Sequence, residues 1–149
     1  MKNAVVLGKG MVGKATMYAL GIKDYVARYS GTVEAGELSD FKYIFICLPT
    51  PTTNGKCNTE LIDEYIRSVH RMKKDNVFII RSTVIPGTCS RLSEKYGAKI
   101  VHVPEFLTEA TWKEDSEFPD ITVIGADDND LRDEVAGIFK ARYKTGGGR

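Results

Sequence analysis

The chain has 149 residues, 42% of them hydrophobic and 28% charged, which suffices for one domain around one core and is the profile of a soluble globular protein. With 21 Lys plus Arg against 20 Asp plus Glu the formal charge is +1 and no basic run stands out, so neither nucleic acid nor an anionic membrane is an expected partner. Cys47, Cys57 and Cys89 lack CxxC or Cys/His spacing, which argues against a disulfide framework or a metal site, and the want of any long apolar stretch points to a cytoplasmic chain without signal peptide or membrane span.

In chain order, the first apolar run is AVVLG (4–8), and it leads into Gly8, Gly10 and Gly13, spelled G-K-G-M-V-G, at the start of a helical pattern. Glycine at these three places suits a tight turn, close approach of a pyrophosphate to the backbone, and close packing of helix on strand. A strand before and a helix after turn a weak spacing into a dinucleotide site, with Gly8, Lys9, Gly10, Met11, Val12 and Gly13 as its cofactor-binding residues. The second run, YVARY (25–29), should end in a carboxylate for the adenosine ribose, but it offers Arg28, Tyr29 and Ser30, while Asp24 lies at the wrong end. Arg28 is either a ligand for a 2′-phosphate, which favours NADP, or a solvent-facing cation. From Ser30 to Asp40 the chain is too short for a helix plus another strand, so the first half of the sheet is expected to be shortened.

YIFICL (43–48) runs into Pro49, Thr50 and Pro51, whose rigid backbone would wall a ligand crevice. A helix is expected over 59–73, with Leu61, Ile62, Tyr65, Ile66, Val69 and Met72 at helical spacing and Asn58 as its cap. His70 falls on the polar side of that helix. VFIIRS (77–82) ends in Ser82 and Thr83, whose hydroxyls serve either the crevice or a helix cap. KIVHV (99–103) leads to Glu105 and Glu109 on a loop, both able to face the cleft if that loop makes one helical turn. A last strand, ITVIG (121–125), and a helix over 129–140 follow. Continuous apolar runs alternating with helices predict a doubly wound, mostly parallel, Rossmann-like α/β sheet with a shortened first half. The domain is expected over 1–142 and a flexible tail over 143–149.

Three further blocks carry a resemblance: CLPTPTTNGKCNTELIDEYI (47–66), RSTVIPGT (81–88) and VPEFLTEATWKEDSEFPDITVIG (103–125). In that order after a GxGxVG turn, they resemble the N-terminal domain of the UDP-glucose/GDP-mannose dehydrogenase family. Its pattern runs P-T-P, S-T-V-x-x-G-T, N-P-E-F-L-x-E-G-x-x-x-x-D and P-D-R before a strand ending in Gly. The resemblance implies NAD as cofactor, with NADP the alternative, and oxidation of a nucleotide sugar's C6 alcohol to a carboxylate in two steps. It implies catalytic roles for Thr83, with a water and the cofactor, and for Glu105, as base or water-positioner, and it places Glu109 near the nicotinamide. It gives Asp115 and Asp120 loop-fixing roles and leaves a homo-oligomer open. Val103, Ala110 and Ile121 depart from the pattern, and the family's catalytic thiol, in a downstream G-x-x-C-x-x-K-D block, has no counterpart here. The chain alone is therefore expected to be inactive, a truncated domain that would take a nucleotide sugar as partner only once a substrate domain is supplied. A stand-alone binding module and another NADP-dependent dehydrogenase or reductase remain the alternatives.

Overall fold

The structure is a computed structural model that describes residues 1–27 and 33–143. Its elements are β1 (Ala4–Leu7), α1 (Met11–Leu20), β2 (Asp24–Val26), α2 (Val33–Ser39), β3 (Tyr43–Ile46) and a small hairpin, β4 (Thr52–Thr53) with β5 (Lys56–Cys57). They continue with α3 (Glu60–Met72), β6 (Val77–Ile80), α4 (Thr88–Tyr96), β7 (Lys99–His102), α5 (Trp112–Glu117) and α6 (Asn129–Lys140).

Five strands form one parallel sheet in the order β2-β1-β3-β6-β7. β1, β3 and β6 are apolar along their length, and β7 at its two central residues, because those residues face covered sides. Val5, Leu7, Ile44, Ile46, Phe78 and Ile80 pack with Ala35 and Leu38 of α2, Ile62, Ile66 and Val69 of α3 and Leu92 of α4. The alternate residues Val6, Phe45, Ile79 and Val101 pack with Leu20 of α1 and Leu131, Val135 and Phe139 of α6. Two buried layers, one per face, are what a doubly wound sheet requires. Among the described residues between β2 and β3 the seven of α2 form the one element, and one described strand, β2, lies beyond β1.

Three sequence expectations change in detail. Residues 121–125 do not form a strand: Gly125 makes one antiparallel bridge, exchanging bonds of 2.8 and 2.9 Å with His102, and Ile121 and Val123 are exposed. With nothing for those side chains to cover, pairing beyond one bridge brings no burial. Asn58 does not occupy the cap of α3, which is Thr59, but its Oδ1 accepts the Glu60 N–H at 2.9 Å from one residue earlier. His70 is buried, 8% exposed, rather than on the polar face of α3. The expected end of the second strand, Arg28 and Tyr29, lies outside the described residues, as do Ser30 and most of the tail (144–149).

Candidate dinucleotide and active site

Parallel strands deliver their following loops to one edge, so the turns after β1, β3, β6 and β7 converge on the carboxyl end of the sheet. The chain leaves β1 toward β2 on one side and resumes at β3 on the other, which opens a crevice between β1 and β3. The glycine turn sits there. Gly8 has φ +99, its N–H donates to the Val26 carbonyl at 2.8 Å, and a Cβ on it would strike the Cys47 carbonyl. A Cβ on Gly13 would fall on the Gly8 carbonyl oxygen, with the Gly8 carbonyl carbon 2.9 Å away. Both glycines are thus demanded by the fold itself.

Gly10 differs from its two neighbours. Its φ of −71 suits any residue, and a Cβ there would meet nothing within 4 Å. It caps α1, whose first turn carries no acidic residue and no side-chain cap bond. A Cβ at the helix's cap position would thus meet no described atom, and a pyrophosphate approaching the backbone there would meet the N–H donors that open α1. That open cradle is the observation on which the fit to a dinucleotide rests.

The neighbouring loops are tied together. Thr50 Oγ1 donates to the Thr83 carbonyl at 2.6 Å, which joins the Pro49-Thr50-Pro51 segment to the loop after β6. Cys57 Sγ reaches the same carbonyl at 3.7 Å, which docks the β4–β5 hairpin beside them. Asn54 and Gly55, with φ +51 and +73, form that hairpin's turn, a sequence signal overlooked above. The Thr83 side chain is exposed, and α4 is capped by Gly87, so neither Ser82 nor Thr83 serves as its cap. Ser82 turns inward, its hydroxyl 3.4 Å from the Ile46 carbonyl.

Glu105 is half-buried, and its Oε2 accepts the Leu107 N–H at 2.8 Å. It lines a cleft of about 430 Å³ between α1 and the loop over 104–122, together with Thr16, Arg81 and Phe139. Residues 103–108 make no helical turn, and Glu109 is exposed and outside that cleft, so the two acids are not brought together there. The glycine turn also lies outside it. Asp115 holds the loop: its Oδ2 accepts from the Thr108 N–H at 3.0 Å and the Thr111 hydroxyl at 2.8 Å. Trp112 packs edge-on against Tyr18, 6.0 Å between centroids, toward the end of α1 remote from the glycine turn.

Arg81 is a residue that sequence reasoning passed over. It is only 7% exposed, its Nε has no hydrogen-bond partner among the described residues, and its guanidinium lies 5.6 Å from the Phe139 ring centre. The signal was a cation inside the apolar run VFIIRS. Neither Cys47 nor Cys89 is poised as a nucleophile: burial pushes the Cys47 thiol up to about 11, and burial, with Asp127 adding to it, does the same to Cys89. Both imidazoles are shifted down, His70 by burial and then by Lys74, His102 by burial and then by Arg81, against the Tyr96 and Ser82 carbonyls that favour their charged forms.

A doubly wound parallel sheet with a glycine turn at its switch point defines a dinucleotide-binding domain of the NAD(P) class. The family model described as "UDP-glucose/GDP-mannose dehydrogenase family, NAD binding domain" matches residues 22–142, and the chain belongs to that family. A GDP-mannose 6-dehydrogenase of Pseudomonas aeruginosa is 32% identical over 130 residues, 76% of this chain and 30% of that protein. A UDP-glucose 6-dehydrogenase of Haloferax volcanii is 28% identical over 156 residues, 91% of this chain and 36% of the relative. The ternary complex of GDP-mannose dehydrogenase from Pseudomonas aeruginosa superposes with a TM-score of 0.74 at 22% identity, over 93% of this chain and 44% of the other. The chain thus spans about a third of the length of the curated relatives it matches. Among the described residues no helix is long and apolar enough to cross a membrane.

Proposed function

We propose that residues 1–142 bind NAD or NADP, with the pyrophosphate against the amides from Gly10 to Gly13, and supply the dinucleotide half of a nucleotide-sugar 6-dehydrogenase. The cofactor, when bound, supplies the hydride acceptor. Around it, Pro49, Thr50 and Pro51 would wall the crevice, and the exposed Thr83 hydroxyl would order a water and the cofactor at the reacting end. Glu105, half-enclosed and anchored to the Leu107 amide, would act as base or water-positioner, with Glu109 nearer the nicotinamide. The observation that carries this reading is the contrast between the crowded Gly8 and Gly13 and the open Gly10.

Calorimetric titration with NAD and with NADP tests it, and saturable heat with at least one of them is expected; silence with both overturns the reading. This polypeptide alone is expected to bind without turnover, because Cys47 and Cys89 are held as protonated thiols and no cysteine lies in the family's nucleophile context. UDP-glucose or GDP-mannose incubated with the chain and cofactor should yield no reduced nicotinamide at 340 nm, a wavelength of about that value being where the reduced ring absorbs. Turnover by the isolated chain would overturn the assignment of the thiol to another segment.

A further inference from the structure

The cleft beside α1 holds a cation that no described residue neutralises. Arg81 directly follows β6 and lines that cleft with Thr16 of α1, Phe139 of α6 and Glu105. It is buried, its Nε meets no acceptor, and among the described residues no acid stands within ion-pair distance of it. The groups its charge reaches are Cys47, whose thiol burial keeps protonated, and the His102 imidazole, and neither is an anion. Glu105, an acid in the same cleft, turns its Oε2 to the Leu107 N–H. A buried guanidinium without a counter-charge carries a desolvation cost, which a carboxylate held by two parallel N–H···O bonds would offset. The Phe139 ring covers one face of the guanidinium, and the edge that carries the donors is left for a ligand.

The rest of the lining decides which anion suits. At about 430 Å³ the cleft falls within the range of small-molecule pockets, about 300–1,000 Å³. Glu105, Asp115 and Asp120 line it with Arg81, so three carboxylates surround one cation. A phosphate dianion would meet those acids with twice the charge of a carboxylate, which disfavours it. A carboxylate whose carbon chain carries hydroxyls suits both parts of the lining. Its head takes the guanidinium fork, and its hydroxyls donate to the oxygens of Glu105 and Asp120. We propose that Arg81 is the head-group receptor of a binding site for a small polyhydroxylated carboxylate, in the cleft between α1 and the loop over 104–122. This site shares Glu105 with the reading above but not the glycine turn, which lies outside the cleft, so the failure of either leaves the other standing.

Thermal unfolding at fixed ionic strength with gluconate, hexanoate and inorganic phosphate, and calorimetry for the dissociation constants, test it. Gluconate and hexanoate share their carbon count and carboxylate and differ in the hydroxyls alone. Gluconate at about ten times its dissociation constant should raise the wild-type midpoint by about 3–5 °C. Hexanoate and phosphate should each bind at least about fivefold more weakly, the scale of one hydrogen bond. Arg81→Met should abolish the gluconate shift, and Arg81→Lys, which keeps the charge but loses the fork, should weaken gluconate by about tenfold. No saturable response to gluconate, an equal shift in Arg81→Met, or hexanoate or phosphate binding as tightly as gluconate would each overturn the proposal. Should Arg81→Met fail to fold, Arg81→Lys decides in its place, and unchanged affinity there overturns the role of the guanidinium. NAD and NADP titrated into the same chain keep the two readings apart: gluconate binding beside silence with both dinucleotides removes the dinucleotide reading and supports this site.

Discussion

At Gly8, Gly10 and Gly13 one motif divides into two kinds of constraint. Gly13→Ala places a methyl on the Gly8 carbonyl and should cost about 2–3 kcal/mol or more in a denaturant melt, through overpacking against backbone that cannot yield. Gly10→Thr keeps a good helix cap in an allowed conformation, so its stability should stay within about 0.5 kcal/mol of wild type while dinucleotide affinity falls at least about tenfold. Equal loss of stability in the two variants would show that Gly10 also serves the fold. Arg81 tests the opposite situation, a buried cation lacking a partner at its Nε. Arg81→Met keeps the length of the side chain and its contact with Phe139 but removes the desolvation cost, so the thermal midpoint should rise, by about 1–2 kcal/mol at the midpoint. A fall would mean that the guanidinium has a partner in solution. The tight turn that demands Gly8 and Gly13 was legible in the glycine spacing after an apolar run, and Pro49, Thr50, Thr83 and Glu105 were singled out as candidates by residue type and position. The buried Arg81 was not, because which way a long side chain turns depends on neighbours from distant segments.

Elements were legible where burial on two faces leaves an unbroken apolar run, as in VFII, or where one buried stripe fixes a helix, as over 129–140. ITVIG failed because an apolar run marks a strand only if something covers it, and Ile121 is 60% exposed. His70 was misplaced for a related reason: a polar residue one turn after Ile66 was read as solvent-facing, but α4 packs over that part of α3. The clasp between those helices is Asp63, whose carboxylate accepts from the Tyr96 hydroxyl and from Lys95 Nζ at 3.0 Å, with Arg91 at 3.6 Å. Burial alone would raise this carboxyl, but the bonds from Tyr96 and Lys95 outweigh it and hold it below its usual range. A depressed acid contributes stability above its unfolded pKa and loses it as the pH falls through the folded one. Asp63→Ala should therefore cost about 1–2 kcal/mol at pH 7, most of it from the Tyr96 bond since Lys95 and Arg91 are half-exposed, and much less at pH 2. An unchanged cost at both pH values would place the effect in packing and not in the charge.

For the whole molecule, the two histidines set the response to mild acid. His70 is buried with Nδ1 lacking a partner among the described residues, and His102 closes β7 with Nε2 3.3 Å from the Ser82 carbonyl. Burial lowers both below the ordinary 6.5, so the folded state binds protons less readily than the unfolded chain. Stability from this source is complete above 6.5 and is lost as the pH falls from there through the folded values. The melting temperature should accordingly drop between pH 7.5 and pH 5.5, a window in which Asp63, with its lowered pKa, remains ionised and contributes no slope. His70→Gln should shrink that drop, since a neutral amide cannot take the proton, and the double variant with His102→Gln should nearly abolish it. His70 lies on α3 against the Tyr96 backbone and His102 at the end of β7 against Ser82, with no shared partner, so their contributions should add. If the double variant retains the full pH dependence, the titrating groups lie elsewhere and the burial argument for these imidazoles is wrong.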